Sequence, residues 1–141
     1  MQTNGIVEME LKRIVIDETR LEQIVVLKER TGDRTLPIVI GASEAAAIKL
    51  EVSGIHPQRP MTHDLLRETI DGLGAKLEKI VIDKLENNTF YAKLHLKNEK
   101  NSAIVIDARP SDSIALAIRA KSPIFVAKEV LEKVGKLDED K

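Results

Sequence analysis

Three stretches of this chain place charged residues at or just before a helix start: Gly41 to Glu44, Arg59 to Asp64 and Asp107 to Asp112. A helix start leaves backbone N–H groups without partners, and these groups, like a nearby guanidinium, favour an anion such as phosphate. If the three stretches meet in space, Arg59 and Arg109 would clamp phosphate beside the carboxylates of Glu44, Asp64, Asp107 and Asp112. Carboxylates in that number could hold a Mg²⁺ or Mn²⁺ that activates water, with His63 as general acid or base. The reaction would be phosphodiester hydrolysis. The same residues also have a purely structural explanation: acids favour the positive end of a helix, and Asp107 can pair with Arg109 or Arg59.

The elements that must position these groups follow from periodicity and capping. Thr62 reads as the N-cap of a helix starting at His63, with Asp64 in its first turn. Leu65, Leu66, Thr69, Ile70 and Leu73 then form an apolar stripe, Asp64, Arg67, Glu68 and Asp71 fall opposite, and His63 stands at the rim. Upstream, 41–54 reads as a helix with Ser43 as N-cap and Gly54 as C-cap. Its Ala45, Ala46, Ala47 and Ile48 wrap beyond one stripe and predict cover on more than one side. The third helix lies within 107–120, with Pro110 in its first turn or Ser111 as its cap, and apolar residues circle it almost completely.

Strands are expected over 5–16 and 21–28, joined at 17–19, then over 36–40, 75–85, 89–97, 103–106 and 124–127. Asn87 and Asn88 tolerate positive φ and mark a tight hairpin. Alternation over 89–97 turns Tyr91, Lys93, His95 and Lys97 to a solvated face, so His95 is given no functional role, and His56 is read as an exposed loop residue. Residues 128–134 form a last short helix. The expected fold is a single α+β domain over 1–135, with a mixed, mostly antiparallel sheet and three to four helices, followed by a charged tail over 136–141.

Composition narrows the function classes. The chain has 141 residues, a formal net charge of −1 and no cysteine, so disulfides, thiolate metal sites and a cysteine nucleophile are excluded. The lack of an apolar signal core or a spanning run leads to the expectation of a cytoplasmic protein with no membrane contact. Near-neutral charge argues against broad electrostatic capture of nucleic acid. With aromatics limited to Phe90, Tyr91 and Phe125, any contact to DNA or RNA is expected to be to the backbone. No phosphate loop with its lysine, GxSxG elbow or HExxH is present.

Four motifs, LPIVIGASEAAAI (36–48), RPMTHDLL (59–66), NNTFYAKL (87–94) and IDARPSDSIALA (106–117), resemble the bifunctional nuclease domain family, formerly a domain of unknown function. The likeness runs from about Lys12 to Leu131. It implies an α+β domain, homo-oligomeric assembly and nuclease activity on DNA and RNA. The family's motif residues carry over as Glu44, Arg59, His63, Asp64, Asp107, Arg109, Ser111 and Asp112. Val39 stands where Trp is frequent and Ser113 where Ala is usual; neither change removes an ionisable group.

The resulting expectation is a nuclease of low sequence preference that assembles through its Ala-rich helices. His63, Asp64, Glu44, Asp107 and Asp112 are its candidate catalytic residues, Arg59, Arg109 and Ser111 hold phosphate, and Asp64, Asp107 and Asp112 are candidate ligands of Mg²⁺ or Mn²⁺. No organic cofactor is expected. The alternative is a non-catalytic homo-oligomeric binding or regulatory module in which the same residues fix helix starts.

Overall fold

The computed structural model describes residues 5–17, 19 and 22–137. Eight strands form one sheet in the order β6-β5-β4-β7-β1-β2-β3-β8, and four helices accompany it. The strands are β1 (Ile6–Asp17), β2 (Glu22–Glu29), β3 (Arg34–Ile40), β4 (Lys76–Glu86), β5 (Thr89–Lys97), β6 (Ala103–Ala108), β7 (Ile124–Ala127) and β8 (Lys136–Leu137). The helices are α1 (Ala42–Val52), α2 (Thr62–Gly72), α3 (Pro110–Ala120) and α4 (Lys128–Val134). All neighbouring strands are antiparallel except β4 and β7, so the fold is α+β with a mixed sheet, as expected.

The core forms where the inward faces of the strands meet α3. Leu77, Ile80 and Ile82 of β4 and Ala92, Leu94 and Leu96 of β5 pair across the ladder and are buried, as alternation predicts. Asn87 and Asn88 turn this hairpin with φ of 52° and 61°, the paired positive values of a tight turn. Ile114, Ala115, Leu116 and Ala117 of α3 are fully buried against them, which agrees with a helix covered on most sides.

Several expectations need correction. The N-caps are Gly41 for α1 and Met61 for α2, one or two residues before Ser43 and Thr62, because the chain reaches helical geometry earlier than the first hydroxyl. Gly54, with φ of +74°, follows the C-cap Ser53 and takes the left-handed turn that ends α1. Helix α1 buries only Ala45 and Ile48, so it is covered on one side. Residues 136 and 137, expected to open the tail, pair with β3. Glu18 and Leu21, expected at the first connection and second strand, and the tail beyond 137 lie outside the described residues.

The largest departure concerns α2. Of its apolar stripe only Ile70 packs against the core: Leu65, Leu66 and Leu73 are exposed, Leu73 by 79%. Beside Ile70 the inward side carries His63 and Asp64, and these two, with the exposed Arg67, attach α2 to α3 through polar contacts. Among the described residues of α2 only His63 is buried, at 8% exposure.

Candidate functional site

The starts of α1, α2 and α3 converge. Helix α3 opens with Pro110 at its first position, where the missing N–H costs nothing, and Arg109 stands at the N-cap. One turn on, the Ser113 hydroxyl donates to the Arg109 carbonyl at 2.8 Å and fixes the backbone beneath the arginine. Asp112 therefore projects from the first turn of α3 toward the first turn of α2. There His63 Nε2 lies 2.9 Å from Asp112 Oδ1. Asp112 Oδ2 accepts from Arg109 Nε at 2.9 Å, and Arg109 Nη2 reaches Glu44 Oε2 of α1 at 3.3 Å.

The result is a chain of four charged or ionisable groups, Glu44–Arg109–Asp112–His63, drawn from three helices. Burial raises the Asp112 carboxyl, but the hydrogen bonds from His63 and Arg109 outweigh it and hold the group below its ordinary value. Asp112 is therefore an anion at neutral pH, and the His63 Nε2 edge acts as a hydrogen-bond donor to it. The other ring nitrogen, Nδ1, makes no hydrogen bond among the described residues. Arg109 is 65% exposed and reaches solvent from the same cluster.

These groups stand at the end of a groove of about 780 Å³ between α1, α2 and the β5–β6 end of the sheet. Its walls are mainly apolar, including Leu50, Met61, Leu66, Ile70, Leu94 and Ile106. A large apolar cleft with a few converging polar groups is the usual form of a ligand site.

The remaining expected site residues stand elsewhere. Asp107 lines the groove but its side chain is 74% exposed and pairs with Lys93 of β5 at 3.5 Å. Ser111 is buried in the first turn of α3. Arg59 is exposed on the loop before α2 and makes no hydrogen bond or ion pair among the described residues. Asp64 turns away from the groove. Its Oδ2 accepts from the Met61 N–H at 3.0 Å, and its Oδ1 accepts from Arg119 Nε at 2.7 Å.

Arg119 was not singled out by the sequence and is the most constrained cation in the molecule's described part. At 4% exposure it donates to Asp64, to the Ala115 carbonyl at 3.0 Å and to the Ala47 carbonyl of α1 at 3.0 Å. Its own carbonyl accepts from Arg67 at 3.1 Å. One guanidinium thus ties α1, α2 and α3 together. The signal that could have revealed it is a single arginine inside the apolar circle of a buried helix, since such a cation requires a carboxylate.

The donor set does not fit a resident divalent ion. Asp64, Asp107 and Asp112 each face a different cation, Arg119, Lys93 and Arg109 respectively. Among the described residues, no group of three or more His, Cys, Asp or Glu is arranged to hold a metal.

The model of the bifunctional nuclease domain matches residues 25–139. The chain belongs to the bifunctional nuclease domain family. It is 44% identical over 133 residues to an uncharacterized protein of Mycobacterium tuberculosis, a match covering 94% of this chain and 79% of that one. It is similar to Bifunctional nuclease 2 of Oryza sativa, 30% identical over 114 residues, and to Bifunctional nuclease 1 of Arabidopsis thaliana, 28% identical over 107 residues. Those matches cover 79% and 74% of this chain but only 35% and 33% of the plant proteins, so the chain spans about a third of their length. Membership and the plant relatives support a nuclease at the level of the family. No helix among the described residues is long and apolar enough to cross a membrane.

Proposed function

We propose that this member of the family hydrolyses phosphodiester bonds of DNA and RNA, with His63 as the group that moves the proton. The observation that carries this reading is the His63 Nε2 to Asp112 Oδ1 contact of 2.9 Å at the end of the apolar groove. With Nε2–H donated to Asp112, Nδ1 keeps its lone pair. It takes a proton from water as the water oxygen bonds to phosphorus and the bond to the leaving oxygen breaks. The Asp112 carboxylate stabilises the imidazolium formed, which then returns its proton to the leaving oxygen. Arg109 exchanges its contact with Glu44 for a substrate phosphate oxygen, a natural partner for a guanidinium fork. Within the same reading Asp64 and Ser111 shape the helix starts, and Arg59 and Asp107 meet substrate at the rim. The expected cytoplasmic location belongs to this reading as well.

The test is hydrolysis of single- and double-stranded DNA and RNA by pure protein, with Mg²⁺, Mn²⁺ or chelator, beside a His63→Ala variant of confirmed fold. Cleavage lost in the variant supports His63 in this role, whereas equal cleavage removes it from the mechanism. The metal arms test the expected divalent ion independently.

A second reading, the non-catalytic homo-oligomeric module, is favoured by one specific feature. Leu65, Leu66 and Leu73 of α2 and Ile104, Val105 and Ile106 of the edge strand β6 are all exposed, and Leu66 and Ile106 line the groove. In that reading copies meet at α2 and β6, with the exposed side of the Ala-rich α1 as the further surface, since α3 is already buried. Mass in solution for wild type and Val105→Lys checks it, with a shift to monomer as the expected outcome.

A further inference from the structure

The groove by itself offers a polyanion little more than Arg109. Glu44, Asp107 and Asp112 surround it against Arg109, and affinity for nucleic acid comes largely from cations that neutralise phosphates. The opposite face of the same end of the sheet sets lysines beside aromatic rings. Residues 76–97 carry five lysines against three carboxylates, Glu78, Asp83 and Glu86, in a chain whose formal net charge is −1. Cross-strand register places Lys79 opposite His95, Val81 opposite Lys93 and Lys84 opposite Tyr91 on the outward face, and Phe125 of β7 stands beside Val81.

Two of the chain's three aromatic rings are therefore on this face, each under a lysine. Lys84 Nζ lies 4.9 Å from the Tyr91 ring centroid, and Lys79 Nζ lies 5.8 Å from that of Phe125. The acids of the face are Glu78, paired with Lys97 at 3.7 Å, Asp83 and Asp107, paired with Lys93 at 3.3 and 3.5 Å, Glu86, paired with Lys84 at 3.9 Å, and Glu8 beside Phe125, paired with Arg30 at 3.3 Å, while Lys76 and Lys79 have no ion pair among the described residues. Burial, and then the nearby Lys79, hold the His95 pKa below its ordinary value against the opposing pull of Asp83 and Glu78.

We propose that the outward face of β4 and β5, with Phe125 of β7, binds single-stranded nucleic acid. Tyr91 and Phe125 stack bases, and Lys76, Lys79, Lys93 and Lys97 meet phosphates. A single strand is the class that fits, because only unpaired bases offer their faces to a flat sheet. The face also leads to the groove. Lys93 contacts Asp107 across to the edge strand β6, and Asp107 lines the groove that holds His63. A strand laid on the face reaches the candidate site around that edge. The use of the face in catalysis rests on the nuclease reading, but the binding itself does not.

The experiment is fluorescence anisotropy of a labelled single-stranded oligonucleotide with wild type, Tyr91→Ala, Tyr91→Phe, Lys79→Glu and His63→Ala, each checked for fold by circular dichroism. Tyr91→Ala is expected to weaken binding about tenfold. Lys79→Glu should weaken it and flatten its salt dependence, whereas Tyr91→Phe and His63→Ala should retain it. Binding should raise the His95 pKa, followed by NMR, as phosphates approach, and duplex of the same sequence should bind more weakly. No binding by wild type, or unchanged binding by both Tyr91→Ala and Lys79→Glu, overturns the proposal, as does preference for duplex. Tyr91-dependent binding without any cleavage leaves this proposal standing and removes the nuclease reading.

Discussion

His63 and Asp64 are adjacent on α2, yet their side chains enter networks of different kinds. Asp64 meets Arg119 in a closed arrangement: both carboxylate oxygens are engaged, and the guanidinium also holds two backbone carbonyls from within the helix layer. His63 meets Asp112 in an open one, with a ring nitrogen that takes no partner among the described residues and Arg109 extending to solvent at the mouth of a groove. The difference separates a clamp from a site. A saturated buried pair can hold geometry but has no valence left for a ligand, whereas a partly satisfied pair beside a cavity can exchange partners.

The sharpest way to break this comparison is to remove Asp64. Asp64→Ala leaves the Arg119 charge buried without a counter-ion, and the expected loss is about 3 to 5 kcal/mol of unfolding free energy. Urea unfolding monitored by circular dichroism checks it; a loss under about 1 kcal/mol would reduce Asp64 to an ordinary helix-start acid. His63→Ala should show the opposite profile. Hydrolysis should fall by about 10²- to 10⁴-fold, the range for a lost proton-transfer group, while Asp112 remains paired with Arg109 and the fold persists. Measured rates beside the same unfolding assay distinguish the two profiles.

Acid sharpens the contrast further. The Asp64 pKa is lowered from 3.8, chiefly by the Met61 N–H and also by Arg119. A depressed carboxyl contributes stability that is complete above its unfolded value, near 3.8, and is lost as pH falls through the lower folded value. Wild type should therefore lose stability more steeply than Asp64→Asn below about pH 4, as measured by unfolding across that range. Equal slopes would mean that the clamp does not depend on the charge of Asp64.

Much of this arrangement was legible in the sequence, and what was not has a physical cause. Gly41–Glu44, the residues around Thr62 and Pro110–Asp112 announce helix starts through local capping chemistry, and all three do meet. Alternation in β5 and the Asn87–Asn88 turn were equally readable, because each depends on neighbours in the chain. The orientation of α2 was not. An apolar stripe is assumed to face the core, but here buried Arg119 and half-buried Asp112 draw Asp64 and His63 inward, and those partners lie about fifty residues away. The tie between Asp64 and Arg119 was hidden for the same reason, and with it the fact that Asp64 faces away from the groove.

The smallest expected effect tests how firmly the open network is set. A Cβ at position 41 would collide with the Glu44 carboxylate, which folds back over Gly41 on its way to Arg109. Gly41→Ala should therefore push the flexible Glu44 aside and release Arg109 from one of its two acids, while Asp112 keeps the other contact. An exposed pair of this kind contributes about 0 to 1 kcal/mol, so stability should change within that range. In the proposed mechanism Arg109 gives up Glu44 when it takes a phosphate, so its early release should leave hydrolysis unchanged or raise it, by no more than about fivefold. A fall in rate with the fold intact would mean that Glu44 aims Arg109 at the substrate, and the open network would then be more rigid than its exposure suggests.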